Sequence, residues 1–241
     1  MSPSQEKTAA IVPAFNEEGK IGVVVAKILR EKVVDRVIVV DDGSKDNTVR
    51  EAELAGATVL KHEKNRGVGA GLRTGILHAK EKGFAIAVIL GGDDQDNPDE
   101  IHRLLAPITN DHFVFVQGSR YMPGGARVNI PLFRWVTTGL FSLIFKILTR
   151  YPVTDGTNGF RAFRLAILDQ KGIDIHQSWL NKYELEPYLY YKCIDLGLAV
   201  TEVPVTKRYP EGKAGYTKMV PILDWWSILR PLIFLRIGLK K

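Results

Sequence analysis

The chain has 241 residues, 45% hydrophobic and 25% charged, a soluble globular balance with length for one large domain or two small ones. Cys193 is the single cysteine, which excludes a disulfide within the chain and fits a reducing compartment. The net charge is +6, and from Lys207 to Lys241 eight Lys/Arg stand against two acids, Glu211 and Asp224; the aliphatic content of WWSILRPLIFLRIGLKK turns this basic tail toward an anionic membrane face rather than nucleic acid.

The opening MSPSQEKTAAIVPAF has no long apolar run, so no signal peptide is expected. Five short β-branched runs follow in chain order: AAIV (9–12), RVIVV (36–40), TVL (58–60), AIAVIL (85–90) and FVFV (113–116). Near-continuous apolar strands predict a parallel sheet covered on both faces. Helical patterns lie between them. Residues 17–31 place Ile21, Val24, Val25 and Ile28 on one face, with Asn16 as the expected N-cap. Residues 46–55 run from an Asp46 cap to a Gly56 stop, and 69–82 and 98–106 complete the set. Strand–helix alternation over 1–120 predicts a doubly wound α/β domain, whose ligands bind at the carboxyl ends of the strands.

The second half reads differently. IPLFRWVTTGLFSLIFKILTR (130–150) carries a polar stripe at Arg134, Thr138, Ser142 and Lys146, a spacing that leaves one very broad apolar helix face. The stretch by itself favours a helix buried against the sheet; the alternative is a helix lying in a bilayer interface. No segment reads as an ordinary spanning helix, because charges interrupt the apolar runs. TEVPVTKRY (201–209) reads as a strand entering a loop, and the whole as one domain with a C-terminal extension.

Chemistry concentrates at strand ends. One strand breaks at Pro13; another ends in Asp41-Asp42-Gly43-Ser44, a turn signal that also suits hydrogen bonding to a ribose or base. A third ends in Gly91-Gly92-Asp93-Asp94-Gln95-Asp96. Carboxylates with a glutamine, without His or Cys nearby, are hard oxygen ligands for Mg²⁺ or Mn²⁺, which commonly take substrate phosphates as well. A solvated acidic loop capping the helix at Pro98 is the other reading, and the two neighbouring strand ends tip the balance toward metal. KNRGVGAGLRTG (64–75) fits neither G-x-G-x-x-G nor a Walker motif; it offers either a helix N-terminus with Arg66 and Gly67 facing an anion or a packing role for its glycines. The five histidines show no ligand spacing, and Cys193 reads as a small buried hydrophobe.

IVPAFNEE, VIVVDDGSKDNT, NRGVGAGLRTG, GGDDQDNP, GSRY, DGTNGFRAFR and EVPVTKRYPEGKAGYTKM occur in this order, and the chain resembles the family-2 glycosyltransferases, most of all the polyprenyl-phosphate hexose synthases of the dolichol-phosphate mannose synthase kind. The resemblance runs from about residue 9 to about 219. It implies a glycosyltransferase-A fold over 1–219, with a nucleotide-sugar half (about 1–120) and an acceptor half (about 121–219), and a membrane-interface tail over 220–241. It also implies inverting, metal-dependent transfer of a hexose from a GDP- or UDP-linked donor to a polyprenyl phosphate, at the cytoplasmic face of a membrane. Pro13, Asn16, Glu17, Asp41, Asp42, Arg66, Gly67 and Gly92 would form the nucleotide site. Asp93 and Gln95 match the second Asp and the Gln of the metal motif, whose first Asp is here Gly91; Asp94 or Asp96 would supply the missing charge. Arg120 of GSRY and Arg161 of GFR would bind phosphates, so Asp93, Arg120 and Arg161 stand as catalytic candidates. Arg134, Lys213 and Lys218 would serve the acceptor and a closing loop.

A phosphate acceptor is already anionic and needs no general base. A same-fold enzyme acting on a sugar hydroxyl does need one, and Asp155, Glu184 and Glu186 are its candidates. A non-catalytic nucleotide-sugar-binding subunit, motivated by Gly91, is the third possibility.

Overall fold

The computed structural model describes residues 6–211 and 223–240. Nine strands and seven α-helices follow in order: β1 (Thr8–Ala14), α1 (Ile21–Arg30), β2 (Arg36–Asp41), α2 (Thr48–Leu54), β3 (Thr58–Lys61), α3 (Val68–Glu81), β4 (Ile86–Ile89), α4 (Ile101–Asn110), β5 (Phe115–Ser119), β6 (Ala126–Val128), α5 (Leu132–Thr149), β7 (Arg161–Arg164), α6 (Leu185–Asp195), β8 (Val200–Pro204), β9 (Thr206–Arg208) and α7 (Leu223–Arg236). The main sheet runs β3-β2-β1-β4-β7-β5-β8, and β6 and β9 form a separate pair. All main-sheet pairings are parallel except those of β7, antiparallel to β4 and β5.

The strands are apolar throughout because both faces are covered. In β1, Ala9 and Ile11 join the core beneath α3 and α6, while Ala10, Val12 and Ala14 join the core with α1 and α4. At about 25 cal/mol per Å² of apolar surface, such two-sided burial holds β1 as an interior strand, third of the seven. Its neighbours β2 and β4 leave from opposite sides, so the carboxyl ends of β1, β2 and β4 open into a crevice at the topological switch point.

Several expectations need correction. Asn16 is not an N-cap: it is left-handed, φ 51°, and α1 starts at Ile21. Residues 16–19 are tied instead to the following loop, with Asn16 N donating to Ser44 Oγ at 2.8 Å and Glu17 N to Thr48 Oγ1 at 2.7 Å. Asp46 accepts from Thr48 N at 3.0 Å, just outside α2, and Gly56 ends that helix at φ 96°. β7 arises from GFRAFR, which shows only cations to sequence reading; its Ala162 and Phe163 are fully buried.

The largest correction concerns α5. All of its polar stripe but Lys146 faces inward: Arg134 lines the cleft, Thr138 bonds Tyr121 Oη, and Ser142 Oγ accepts from Gly156 N at 3.1 Å. Phe141 and Phe145 are buried beside them, whereas Leu132, Val136, Leu140, Leu143 and Ile147 are each more than half exposed. The buried-helix reading is therefore overturned, because only Phe141, Ser142 and Phe145 of α5 are buried. Its 18 residues are long and apolar enough to cross a membrane by length and composition, yet Arg134, Ser142 and the two rings bind it to the body.

The tail, too, is more than an appendage. In α7, Leu232 is fully buried in the α6-side core, Arg230 pairs with Glu184 and donates to Trp179 O, and Trp225 stacks on Phe133 of α5 at 4.7 Å.

Candidate active site

A cleft of about 830 Å³ opens at the carboxyl ends of β1, β2 and β4. At one end it is lined by Pro13, Glu17, Asp42, Gly67 and Gly92. Asn16, Asp41 and Arg66, expected with them, do not line it. Asp41 folds back to accept from Ser44 N at 3.2 Å. Asp42 accepts from Arg66 N and Gly67 N, at 2.9 and 2.7 Å, and from His62 Nδ1 at 2.7 Å. The anion at the start of α3 is thus the chain's own Asp42, which joins the ends of β2 and β3 to that helix. The glycines there have the packing role: a Cβ on Gly69 would lie 2.5 Å from Lys182 O, and Ala70 N donates to Asn181 O at 2.9 Å.

Beyond β4 the acidic residues separate. Asp94 turns away, with φ 60°, to pair with Lys27 at 2.7 Å. Asp93, Gln95 and Asp96 line the cleft. Burial pushes the Asp93 carboxyl above the usual range, nearby Asp96 and Glu17 push the same way, and Lys207 opposes. Its Oδ1 accepts from Gln95 N at 3.2 Å. Asp96 is paired on Oδ1 with Lys207 Nζ at 2.7 Å and accepts Gly91 N on Oδ2 at 3.0 Å. Among the described residues no three His, Cys, Asp or Glu side chains form a metal cage. Mg²⁺ or Mn²⁺ is commonly held by one or two carboxylates and completed by substrate phosphates. Asp93, with Gln95 beside it, fits that demand; neither Asp94 nor Asp96 stands in simply for the Asp absent at Gly91.

The two arginines expected on phosphates are differently placed. Arg120 is buried off the cleft, its Nε and Nη2 each 2.7 Å from an Asp155 oxygen, with Nη2 also on Thr157 and Nη1 on Tyr209. Burial opposes the charge on each partner, and their pairing overrides it, raising Arg120 and lowering Asp155. Arg161 lines the cleft from β7, but its guanidinium donates to Glu186 O and Asn158 O and lies 3.3 Å from the Glu186 carboxylate. Lys20, Arg134, Lys182 and Lys207 line the cleft with it, Lys20 lying 3.0 Å from Glu17 and Lys182 3.7 Å from Asp224.

Comparison with known proteins agrees with this architecture. The family model described as Glycosyl transferase family 2 matches residues 9–172. The chain belongs to glycosyltransferase family 2. It is 33% identical over 245 residues, 95% of each chain, to the UDP-N-acetylglucosamine--dolichyl-phosphate N-acetylglucosaminyltransferase of Methanococcus voltae. It is 30% identical over 220 residues, 89% of this chain and 81% of the relative, to the polyprenol monophosphomannose synthase of Mycolicibacterium smegmatis. Among solved structures, glucosyl-3-phosphoglycerate synthase from Mycobacterium tuberculosis, in complex with Mn²⁺, UDP and glucosyl-3-phosphoglycerate, shares the fold at TM-score 0.72 and 22% identity, over 98% of this chain and 82% of that one. The fold is glycosyltransferase-A, and the protein is an enzyme.

The far end of this glycosyltransferase cleft is built by α5, α6 and α7: Arg134, Lys182, Tyr183, Glu186 and Asp224 line it. Burial, then Asp224 and Glu186, push the Tyr183 hydroxyl up to about 12. Of the three base candidates, Asp155 is fully buried on Arg120 and Glu184 fully buried on Arg230, so neither reaches the cleft. Glu186 does, paired with Arg161. Lys213 and Lys218 lie outside the described residues. Sequence reading missed His62 and Lys182, and took Lys207 only as one member of a basic run. The signal for Lys207 was a lysine near the end of the TEVPVTKRY strand pattern, which carries no information about the loop it meets.

Proposed function

We propose that this glycosyltransferase transfers a hexose from a nucleotide-diphospho-sugar to a polyprenyl phosphate, with inversion, at the cytoplasmic face of a membrane. The observation that carries the reading is α5. Its Arg134 lines the cleft while its outward side presents exposed Leu132, Val136, Leu140, Leu143 and Ile147. A helix of this kind lies in a bilayer interface, with apolar side chains among the acyl chains. A lipid phosphate in that interface meets Arg134 and Lys182 at the mouth of the site. Exposed basic Lys146, Arg150, Arg236 and Lys240 at the ends of α5 and α7 add attraction to anionic lipid. The two relatives named differ in sugar and share a lipid-phosphate acceptor in their names, so they support the acceptor class and not the sugar.

In this reading Pro13, Glu17 and Asp42 hold the nucleoside, with Asp42 fixed by His62 and two backbone amides. Asp93 and Gln95 would hold Mg²⁺ or Mn²⁺, which when bound supplies Lewis-acid stabilisation of the departing diphosphate. Arg134 and Lys182 orient the acceptor phosphate for attack on the anomeric carbon from the face opposite the leaving group. That oxygen is anionic at neutral pH, so no residue need remove a proton, in keeping with Glu186 engaged by Arg161. The test is incubation of labelled UDP-N-acetylglucosamine, UDP-glucose and GDP-mannose with short-chain polyprenyl phosphate and Mn²⁺. A mild-acid-labile lipid product is expected from one donor; label confined to a soluble glycan would assign a hydroxyl acceptor instead.

A further inference from the structure

The acidic cluster at the cleft contains a cation of the chain's own. Lys207 reaches it from β9, its side chain 14% exposed and that of its partner Asp96 2%. The placement is fixed by backbone. Asp96 and Lys207 form an antiparallel bridge, Arg208 N donates to Gln95 O at 2.8 Å, and Thr206 N and Oγ1 donate to Glu100 at 2.6 and 3.0 Å. The carboxylates converge on one point: a Cβ on Gly91 would lie 2.9 Å from Asp93 Oδ1 and 3.5 Å from Asp96 Oδ2. Asp96 has both oxygens engaged, by the ammonium and by Gly91 N, which leaves Asp93 as the carboxylate available to an incoming ion.

We propose that Lys207 is a tethered cation of the pyrophosphate site, withholding Asp96 from the metal ion and supplying part of the positive charge that a nucleoside diphosphate needs. The proposal rests on the donor reading above for its ligand. A lysine ammonium is a compact point charge suited to phosphate, and here it cannot leave, because β9 is bound to the metal loop along its length. With one carboxylate to offer, the free protein holds a divalent ion weakly, and the ion enters with the nucleotide. Removing the ammonium has two opposite effects. It releases a second carboxylate to the metal, and it strips positive charge from the nucleotide.

Two binding measurements separate these effects: titration of Mn²⁺ alone followed by electron paramagnetic resonance, and calorimetry of UDP and GDP in EDTA and in Mn²⁺. Lys207→Gln is expected to bind Mn²⁺ alone about tenfold more tightly, and the nucleotide in EDTA about tenfold more weakly. Lys207→Arg keeps the charge and stays near wild type on both. In Asp96→Asn/Lys207→Gln an amide pair replaces the buried ion pair, so folding survives; metal-free nucleotide affinity falls as before, with no gain for Mn²⁺. Lys207→Gln unchanged in both titrations overturns the proposal, as does a double variant that binds nucleotide in EDTA like wild type. Should Lys207→Gln not fold, the double variant alone decides. Should neither nucleotide bind the wild type under any condition, the donor reading fails, while the Mn²⁺ titration still decides whether Lys207 withholds Asp96.

Discussion

Asp93 and Asp155 are both carboxylates in a buried setting, and their surroundings assign them opposite work. Asp93 stands beside Asp96 and Glu17 with its pKa raised, an electron-rich group that faces the cleft and favours a bound cation. Asp93→Ala is expected to lower lipid glycosylation by about 10²–10³-fold while leaving the melting temperature near wild type, measured by product formation and by thermal unfolding. Asp155 instead has Arg120 locked against it, and its pKa is lowered despite burial. Removing one member of such a pair strands the other, so Asp155→Ala is expected to cost about 3–5 kcal/mol, read from urea unfolding. The pH dependence follows from the same pair. A lowered carboxylate stabilises the fold fully above its unfolded pKa, about 3.9, and that stability is lost as pH falls through the folded value. Wild-type stability is therefore expected to decline below about pH 4, and Arg120→Met/Asp155→Leu to decline less over the same range.

At the scale of elements, α3 and α5 show how a sequence pattern is decided by what it meets. The glycines that open α3 are required by the loop 180–182, against which Gly69 packs without room for a methyl group. Gly69→Ala is expected to destabilise by about 1–3 kcal/mol through overpacking, seen as a lower urea midpoint at unchanged slope. For α5 the proposed partner of the exposed apolar side is the bilayer. Leu140→Glu/Leu143→Glu places two charges on its exposed side, away from the residues that tie it to Tyr121 and Gly156. It is expected to leave the fold intact and to lower binding to anionic vesicles by about tenfold or more, measured by co-sedimentation.

Across the whole molecule, the two ends of the cleft belong to different kinds of surface. The β1–β2–β4 end is made of strand termini over a two-sided core, and the other end of helices carrying exposed apolar side chains. α7 belongs to both, with Leu232 buried in the core, Arg230 holding Glu184 and Asp224 lining the cleft. Truncation after Glu211 is accordingly expected to lower the melting temperature by several degrees, about 4 °C for each kcal/mol lost, read by thermal unfolding.

How much of this was legible beforehand varied with the range of the interaction. Alternation of short β-branched runs with amphipathic helices follows from local pattern, and β1 to β4 with α1 to α4 stand close to their expected places. The motifs at Asp42 and Asp93–Gln95, with the family resemblance, placed the cleft at the correct strand ends. Contacts between residues far apart in the chain were not written in any local pattern: Lys207 on Asp96, Arg120 on Asp155, Arg230 on Glu184, and the inward turn of the α5 polar stripe. Sequence by itself determined the alternation, the fold and which residues stand at the strand ends, because backbone preference and burial act over a few residues. Tertiary structure alone decided which charges face the cleft and which are consumed by a partner, because an ion pair depends on what the fold brings within about 4 Å.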